Sequence, residues 1–235
     1  MERREPLLAG ETYHIFNRGA HKQPIFLDEV DYRRFQVLLY LANQVCAVDA
    51  GNILAKYQGP SLVNLFRLEE RDERLVDVYA YSLMPNHFHI VLRQIGDFGV
   101  SLFMRKLCTG YSMYFNLKHD HSGTLFQGRF KSNHINSDPY FKWIFAYVHL
   151  NPVSILEPNW SKEKELENVS QAKEFLNNYR YSSYWDYYVG ERSERAILAY
   201  EEATNFIDKN EDLIGLIAES KKRTQLYESF ESGEK

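Results

Sequence analysis

The chain has 235 residues, 44% hydrophobic and 15% aromatic, with a formal net charge of −4, which describes a globular protein with one full core and excludes a disordered chain. Two cysteines, Cys46 and Cys108, are too few for a disulfide scaffold and lack metal-site spacing, so they read as buried thiols in a reducing compartment. The opening "MERREPLLAG" has no apolar leader core and no run nears the roughly 18 apolar residues of a membrane span, so a cytoplasmic protein with no membrane partner is expected.

"TYHIFNRG" (12–19) combines strand formers with a Gly-terminated polar turn and reads as a first strand. Residues 28–45 repeat apolar side chains at Val30, Phe35, Leu38, Leu39 and Ala42 behind a capping Asp28, the pattern of an amphipathic helix. Residues 47–73 lose periodicity and form a long connection. "LVDVYAYSL" (75–83) and "HFHIVLRQ" (87–94) flank Met84-Pro85-Asn86 as a hairpin, with Pro and Asn supplying the turn. Residues 99–118 carry Val100, Phe103, Met104, Leu107, Tyr111 and Tyr114 at helical spacing, and residues 123–137 read as a strand entered through glycine. A third helix starts at Ser137 or Asp138 with Pro139 in its first turn, and is expected to stop near Asn151, because the residue before Pro152 is pushed from the α region.

Strand, helix, two strands, helix, strand, helix is the order of an α+β fold: an antiparallel sheet of ferredoxin-like or RNA-recognition type with helices on one face. That domain spans 1–155, and 156–235 form a helical C-terminal extension with the aromatic stretch "YRYSSYWDYYVG" and an acidic end. Residues 1–153 hold 17 Lys and Arg against 15 Asp and Glu, whereas 154–235 hold 11 against 17. Within 101–133 the charged residues are Arg105, Lys106, Lys118, Arg129 and Lys131 against Asp120, a local basic patch suited to phosphate.

Two residues apart on a strand, His87 and His89 emerge on one face while Phe88 turns to the core. Such a pair can be adjacent metal ligands, or can simply cap polar surface at a sheet edge. Tyr147 and Asn151, four apart on the third helix, share a face; a phenolic oxygen can act as a nucleophile and an amide oxygen can bind a hard cation. Two imidazoles, one amide oxygen and substrate oxygens suit Mg²⁺ or Mn²⁺ better than a closed zinc site. The competing account has Tyr140, Trp143 and Tyr147 as an aromatic stripe packed on the sheet. The aromatic cluster Tyr179, Tyr181, Tyr184, Trp185, Tyr187, Tyr188 can stack unpaired bases or form a satellite core.

The motifs "YHIFNRG", "YSLMPNHFHIVL", "GTLFQGRFKS", "YVHLNPV" and "YRYSSYWDYYVG", in this order from about residue 12 to 190, resemble those of the REP-associated tyrosine transposases, relatives of the insertion-sequence single-tyrosine transposases of the HUH superfamily. The resemblance implies a metal-dependent endonuclease and strand transferase acting on single-stranded DNA folded into a hairpin. It implies Tyr147 as nucleophile and His87, His89 and Asn151 as ligands of Mg²⁺ or Mn²⁺, and it favours a monomer. Tyr111 and Tyr114 are weaker candidates for the nucleophile, and His149 reads as structural or as a phosphate contact. Arg18, Arg105, Lys106, Arg129 and Lys131 are the candidate DNA-phosphate contacts. Two rivals stand beside this reading: a catalytically silent single-stranded nucleic-acid binder on the same fold, and a hydrolase that uses water in place of tyrosine.

Overall fold

Four antiparallel strands form the sheet: β1 (Thr12–Arg18), β2 (Val76–Met84), β3 (His87–Gln94) and β4 (Lys131–Ile135), in spatial order β2-β3-β1-β4. The computed structural model describes residues 6–46, 73–160, 166–208 and 212–215. The long connection over 47–72, part of the acidic stretch after residue 160 and the acidic end beyond 215 lie outside the described residues. The α+β expectation holds, and the strand order is the ferredoxin-like one.

Two helices cover one face. In α1 (Glu29–Leu41) Asp28 caps the N-terminus by accepting from the Asp31 N–H at 3.1 Å, and Phe35, Leu38 and Leu39 are buried. Val30, expected on the apolar stripe, is 56% exposed in the first turn. α2 (Gly99–Lys118) packs beside α1 with Val100, Phe103, Met104, Leu107 and Tyr111 buried. Phe88 meets Phe35 from the sheet side, with ring centroids 5.1 Å apart.

The third helix corrects the one-face picture. α3 (Asp138–Leu150) crosses β2 and β3 on the opposite face, where Tyr147 lies against His14 and His89. All nine residues of β2 are consequently buried, as in a strand covered on both sides. The α-helix ends where expected, at Leu150 with Asn151 as its C-cap, but the chain keeps a helical sense beyond it. Asn151 is αR (φ −52°, ψ −38°) and leads into a 3₁₀ turn over Asn151–Ile155. Pro152 sits in the first turn of that segment, where a missing N–H costs no helical bond, so the steric bias against α before proline is overridden.

The last strand is shorter than its sequence suggests. Gly123 (φ 99°) and Gly128 (φ 130°) adopt backbone angles that a regular strand does not use, and residues 124–130 instead lean on β1, with Gln127 N–H donating to the Arg18 carbonyl at 2.9 Å. The described part of the C-terminal extension covers the outer edge of β2. Leu83 N–H donates to the Tyr181 carbonyl (2.9 Å), Ser183 N–H to Tyr81 (2.9 Å), Ala199 N–H to Val78 (2.8 Å) and Tyr187 Oη–H to the Tyr79 carbonyl (2.7 Å). The aromatic stretch thus serves the core: α4 (Val169–Asn178), α5 (Tyr184–Tyr188) and α6 (Tyr200–Thr204) contribute Leu176, Tyr184, Tyr187 and Ala203 to the same apolar cluster as the sheet. Cys46 is exposed just beyond α1 and Cys108 is half-buried on α2; neither forms a disulfide, and the expectation of two buried thiols fails for Cys46 because it lies past the packed part of the helix. No helix among the described residues is long and apolar enough to cross a membrane.

Candidate active site

Alternation along β3 puts His87 and His89 on the α3 side, and the β1–β3 register sets Phe16 opposite His89 and Arg18 opposite His87. The two imidazoles are perpendicular, with centroids 5.1 Å apart. From α3, the Tyr147 ring stands edge-on to His89 at 5.6 Å and 84°. One turn later, the Asn151 Oδ1 lies 3.3 Å from His87 Nε2. The hairpin strand and the last turn of α3 therefore converge within one chain.

The tautomer of His87 follows from its other neighbour. The Asn86 amide donates from Nδ2 to the Lys22 carbonyl (3.3 Å), which leaves its Oδ1 to accept from His87 Nδ1–H at 2.6 Å. Burial holds the His87 pKa down to about 4, opposed by the Asn151 oxygen, which would accept from a protonated Nε2, and helped by the Arg18 charge, so the ring is neutral at pH 7. Its Nε2 then presents a lone pair to the carbonyl oxygen of Asn151, two acceptors face to face. Two ligand atoms cis on one ion at about 2.1 Å each sit roughly 3 Å apart, so this arrangement suits a shared divalent cation. Among the described residues no group of three His, Cys, Asp or Glu side chains could hold a metal, so no carboxylate joins the pair. A donor set of two imidazoles and an amide contains no anion, which leaves both charges of the ion for an anionic substrate to balance. The residues fit Mg²⁺ or Mn²⁺ with oxygens completing the shell.

Tyr147 is enclosed by aromatic rings, stacked on Trp143 (5.4 Å, 8°) and near Trp160 (6.4 Å, 18°), and is only 6% exposed. The other tyrosines proposed for its role lie across the sheet on α2. There Tyr111 Oη–H donates to the Ile25 carbonyl (2.5 Å), and Tyr114 Oη–H to Asp31 (2.9 Å). His149, on the far side of α3, is fully buried and bonded to Ser183 Oγ at 2.7 Å, which makes it structural and removes it as a phosphate contact.

The basic residues divide into two groups. Arg18 ends β1 beside His87, and its guanidinium bonds Gln127 of the 124–130 segment. Exposed Arg129 follows in that segment, and Lys131 begins β4 with Nζ 6.0 Å from the centre of the Phe16 ring, on the histidine side. Arg105 and Lys106 are elsewhere. They lie on α2, across the sheet and toward its other end, where Lys106 Nζ donates to the carbonyls of Gln44 (2.6 Å), Val45 (3.3 Å) and Cys46 (2.8 Å) just beyond α1. The local charge excess in 101–133 is thus split between two faces.

Sequence reasoning passed over His14. This fully buried side chain of β1 places Nε2 at 2.8 Å from His89 Nδ1, with the rings stacked at 5.0 Å. Its signal was present, a third histidine in "YHIFNRG", but its partner is 75 residues away.

Family comparison bears on this same stretch. Residues 64–151 match the family model described as transposase IS200 like. The IS200-like stretch contains His87, His89, Tyr147 and Asn151, and leaves out β1 with His14 and Arg18. A solved structure of a REP-associated tyrosine transposase bound to a REP hairpin is also similar, at 13% identity and a TM-score of 0.46, over 78% of this chain and 82% of that one. No curated protein matches.

Proposed function

We propose that this chain is a metal-dependent single-stranded DNA endonuclease and strand transferase, a transposase that cuts at or beside a hairpin through a 5′-phosphotyrosine link. The observation that carries the reading is the meeting of His87, His89, Asn151 and Tyr147 around one point, inside the IS200-like stretch. His87, His89 and Asn151 would hold Mg²⁺ or Mn²⁺. When bound, that ion polarises the scissile phosphodiester and offsets the charge that builds on the transferring phosphoryl group.

Tyr147 supplies the nucleophile. Its Oη bonds to phosphorus as the bond to the 3′ oxygen breaks; the phenol gives up its proton and the departing oxygen takes one up. The products are a phosphotyrosine on the 5′ side and a free 3′-hydroxyl. Because one phosphodiester replaces another, a DNA 3′-hydroxyl can reverse the step and join strands without ATP. Arg18, Arg129 and Lys131 flank the site and serve as phosphate contacts, while Arg105 and Lys106 stand outside the track. Residues 1–155 carry the activity and 156–235 support it. The bonds of the C-terminal extension to Leu83, Tyr81 and Val78 cover the outer edge of β2 and so support a monomer.

One observation favours a rival reading. The enclosure of Tyr147 by Trp143 and Trp160 is what a silent single-stranded nucleic-acid binder would show. Incubation of hairpin DNA with the protein and Mn²⁺, resolved on a denaturing gel, separates the two. The proposal predicts a covalent adduct that Tyr147→Phe abolishes. Metal-independent binding with no adduct favours the binder, and an adduct surviving in Tyr147→Phe removes Tyr147 from the role.

A further inference from the structure

We propose that His14 is a positioning residue for the cation site, holding His89 in the orientation and tautomer in which its Nε2 is the ligand atom. The proposal rests on the metal-dependent reading above. His14 and His89 are diagonal neighbours on the same face, since His14 pairs with Val91 and His89 with Phe16 across the β1–β3 ladder. Their bond of 2.8 Å is buried, and the His14 ring is caged by Phe16 (5.1 Å), by His89 and by the edge of Tyr147 (6.3 Å).

A hydrogen bond between two neutral imidazoles needs one donor and one acceptor, which ties the two tautomers together. For His89 to ligate through Nε2, its proton must sit on Nδ1 and be donated to His14 Nε2. His14 then carries its own proton on Nδ1, for which no partner exists among the described residues. In the opposite arrangement His14 donates, and the proton on His89 Nε2 blocks ligation.

The contrast with His87 gives this its meaning. Asn86 presents a carbonyl oxygen, which can only accept, so His87 is set in the ligating tautomer permanently. An imidazole can donate or accept; with Nε2 as the acceptor, His14 holds His89 as the Asn86 oxygen holds His87. A partner on the second nitrogen is the general means by which metal-binding histidines are oriented, and its loss costs about 10–100-fold in metal affinity.

The test uses the full chain with His14→Phe, which keeps the ring packing and loses the bond, and His14→Gln, which returns an amide that can accept. Manganese titration is expected to show affinity about 10–100-fold weaker in His14→Phe and largely restored in His14→Gln, with both variants folded. A His14→Phe protein that binds Mn²⁺ within twofold of wild type, or a His14→Gln protein as weak as His14→Phe, overturns the proposal in favour of plain packing. Long-range ¹H–¹⁵N spectra of the imidazoles provide a readout that needs no metal: one ordered tautomer for His89 in the wild type and a mixture in His14→Phe. Identical His89 tautomer populations in both overturn the proposal even if neither protein binds manganese. Should the spectra come out as expected while the wild type binds no manganese, the positioning role stands and the metal-dependent function falls.

Discussion

The buried imidazole of His149 makes a quantitative prediction about stability and pH. Its ring is 0% exposed, and burial pushes its pKa from 6.5 down to about 3. Between those values the unfolded chain binds a proton that the folded one refuses, so stability is fully present above pH 6.5 and is lost as the pH falls. With about 1.36 kcal/mol per pKa unit, this one group removes about 2 kcal/mol between pH 7 and pH 5. The comparison is between wild type and His149→Gln, which keeps a polar group for Ser183 but has nothing to titrate. Urea unfolding at pH 7, 6, 5.5 and 5 reports both free energies, and every other titrating group cancels in the difference. The wild type is expected to lose about 2 kcal/mol relative to the variant by pH 5, with the divergence starting near pH 6.5. Parallel curves would refute the reasoning, because they would mean that the folded protein protonates His149 as readily as the unfolded chain.

Three further outcomes follow from particular contacts. Lys106→Ala is expected to destabilise the protein by about 1 kcal/mol, by removing a cation from the carbonyls beyond α1, and to leave hairpin-DNA affinity unchanged in a fluorescence anisotropy titration. Lys131→Ala, on the histidine side, is expected to weaken hairpin binding and to reduce the slope of log affinity against log salt by about 0.7, the value for one phosphate contact on a single strand. Gly19→Ala forces a Cβ to within 2.1 Å of the Gln23 carbonyl oxygen, so the turn next to Arg18 must shift. Thermal unfolding should then show a loss of 2 kcal/mol or more, on the order of other backbone clashes.

The parts of the site that were legible in the sequence depend on short periods. Alternation alone put His87 and His89 on one face, and a four-residue spacing alone put Tyr147 and Asn151 on another. Their meeting is long-range, and only the shared motif order pointed to it. Local pattern could not show that α3 lies opposite α1 and α2, because a helix that is buried nearly all round carries no marker for which face of a sheet it covers. Nor could it show that Lys106 ends against the carbonyls beyond α1, or that His14 bonds a histidine two strands away in sequence. For the C-terminal aromatics the sequence favoured a satellite core over base stacking. Their hydroxyls, committed to β2 carbonyls at Leu83 and Tyr79, decide for packing.

The central claim is that His87, His89 and Asn151 share one divalent cation beside Tyr147. Crystals soaked in MnCl₂ and measured at the manganese edge test it most directly. The account predicts an anomalous peak bounded by His87 Nε2, His89 Nε2 and Asn151 Oδ1, lost in Asn151→Ala. Manganese bound only elsewhere on the molecule, or a peak unchanged in Asn151→Ala, contradicts it.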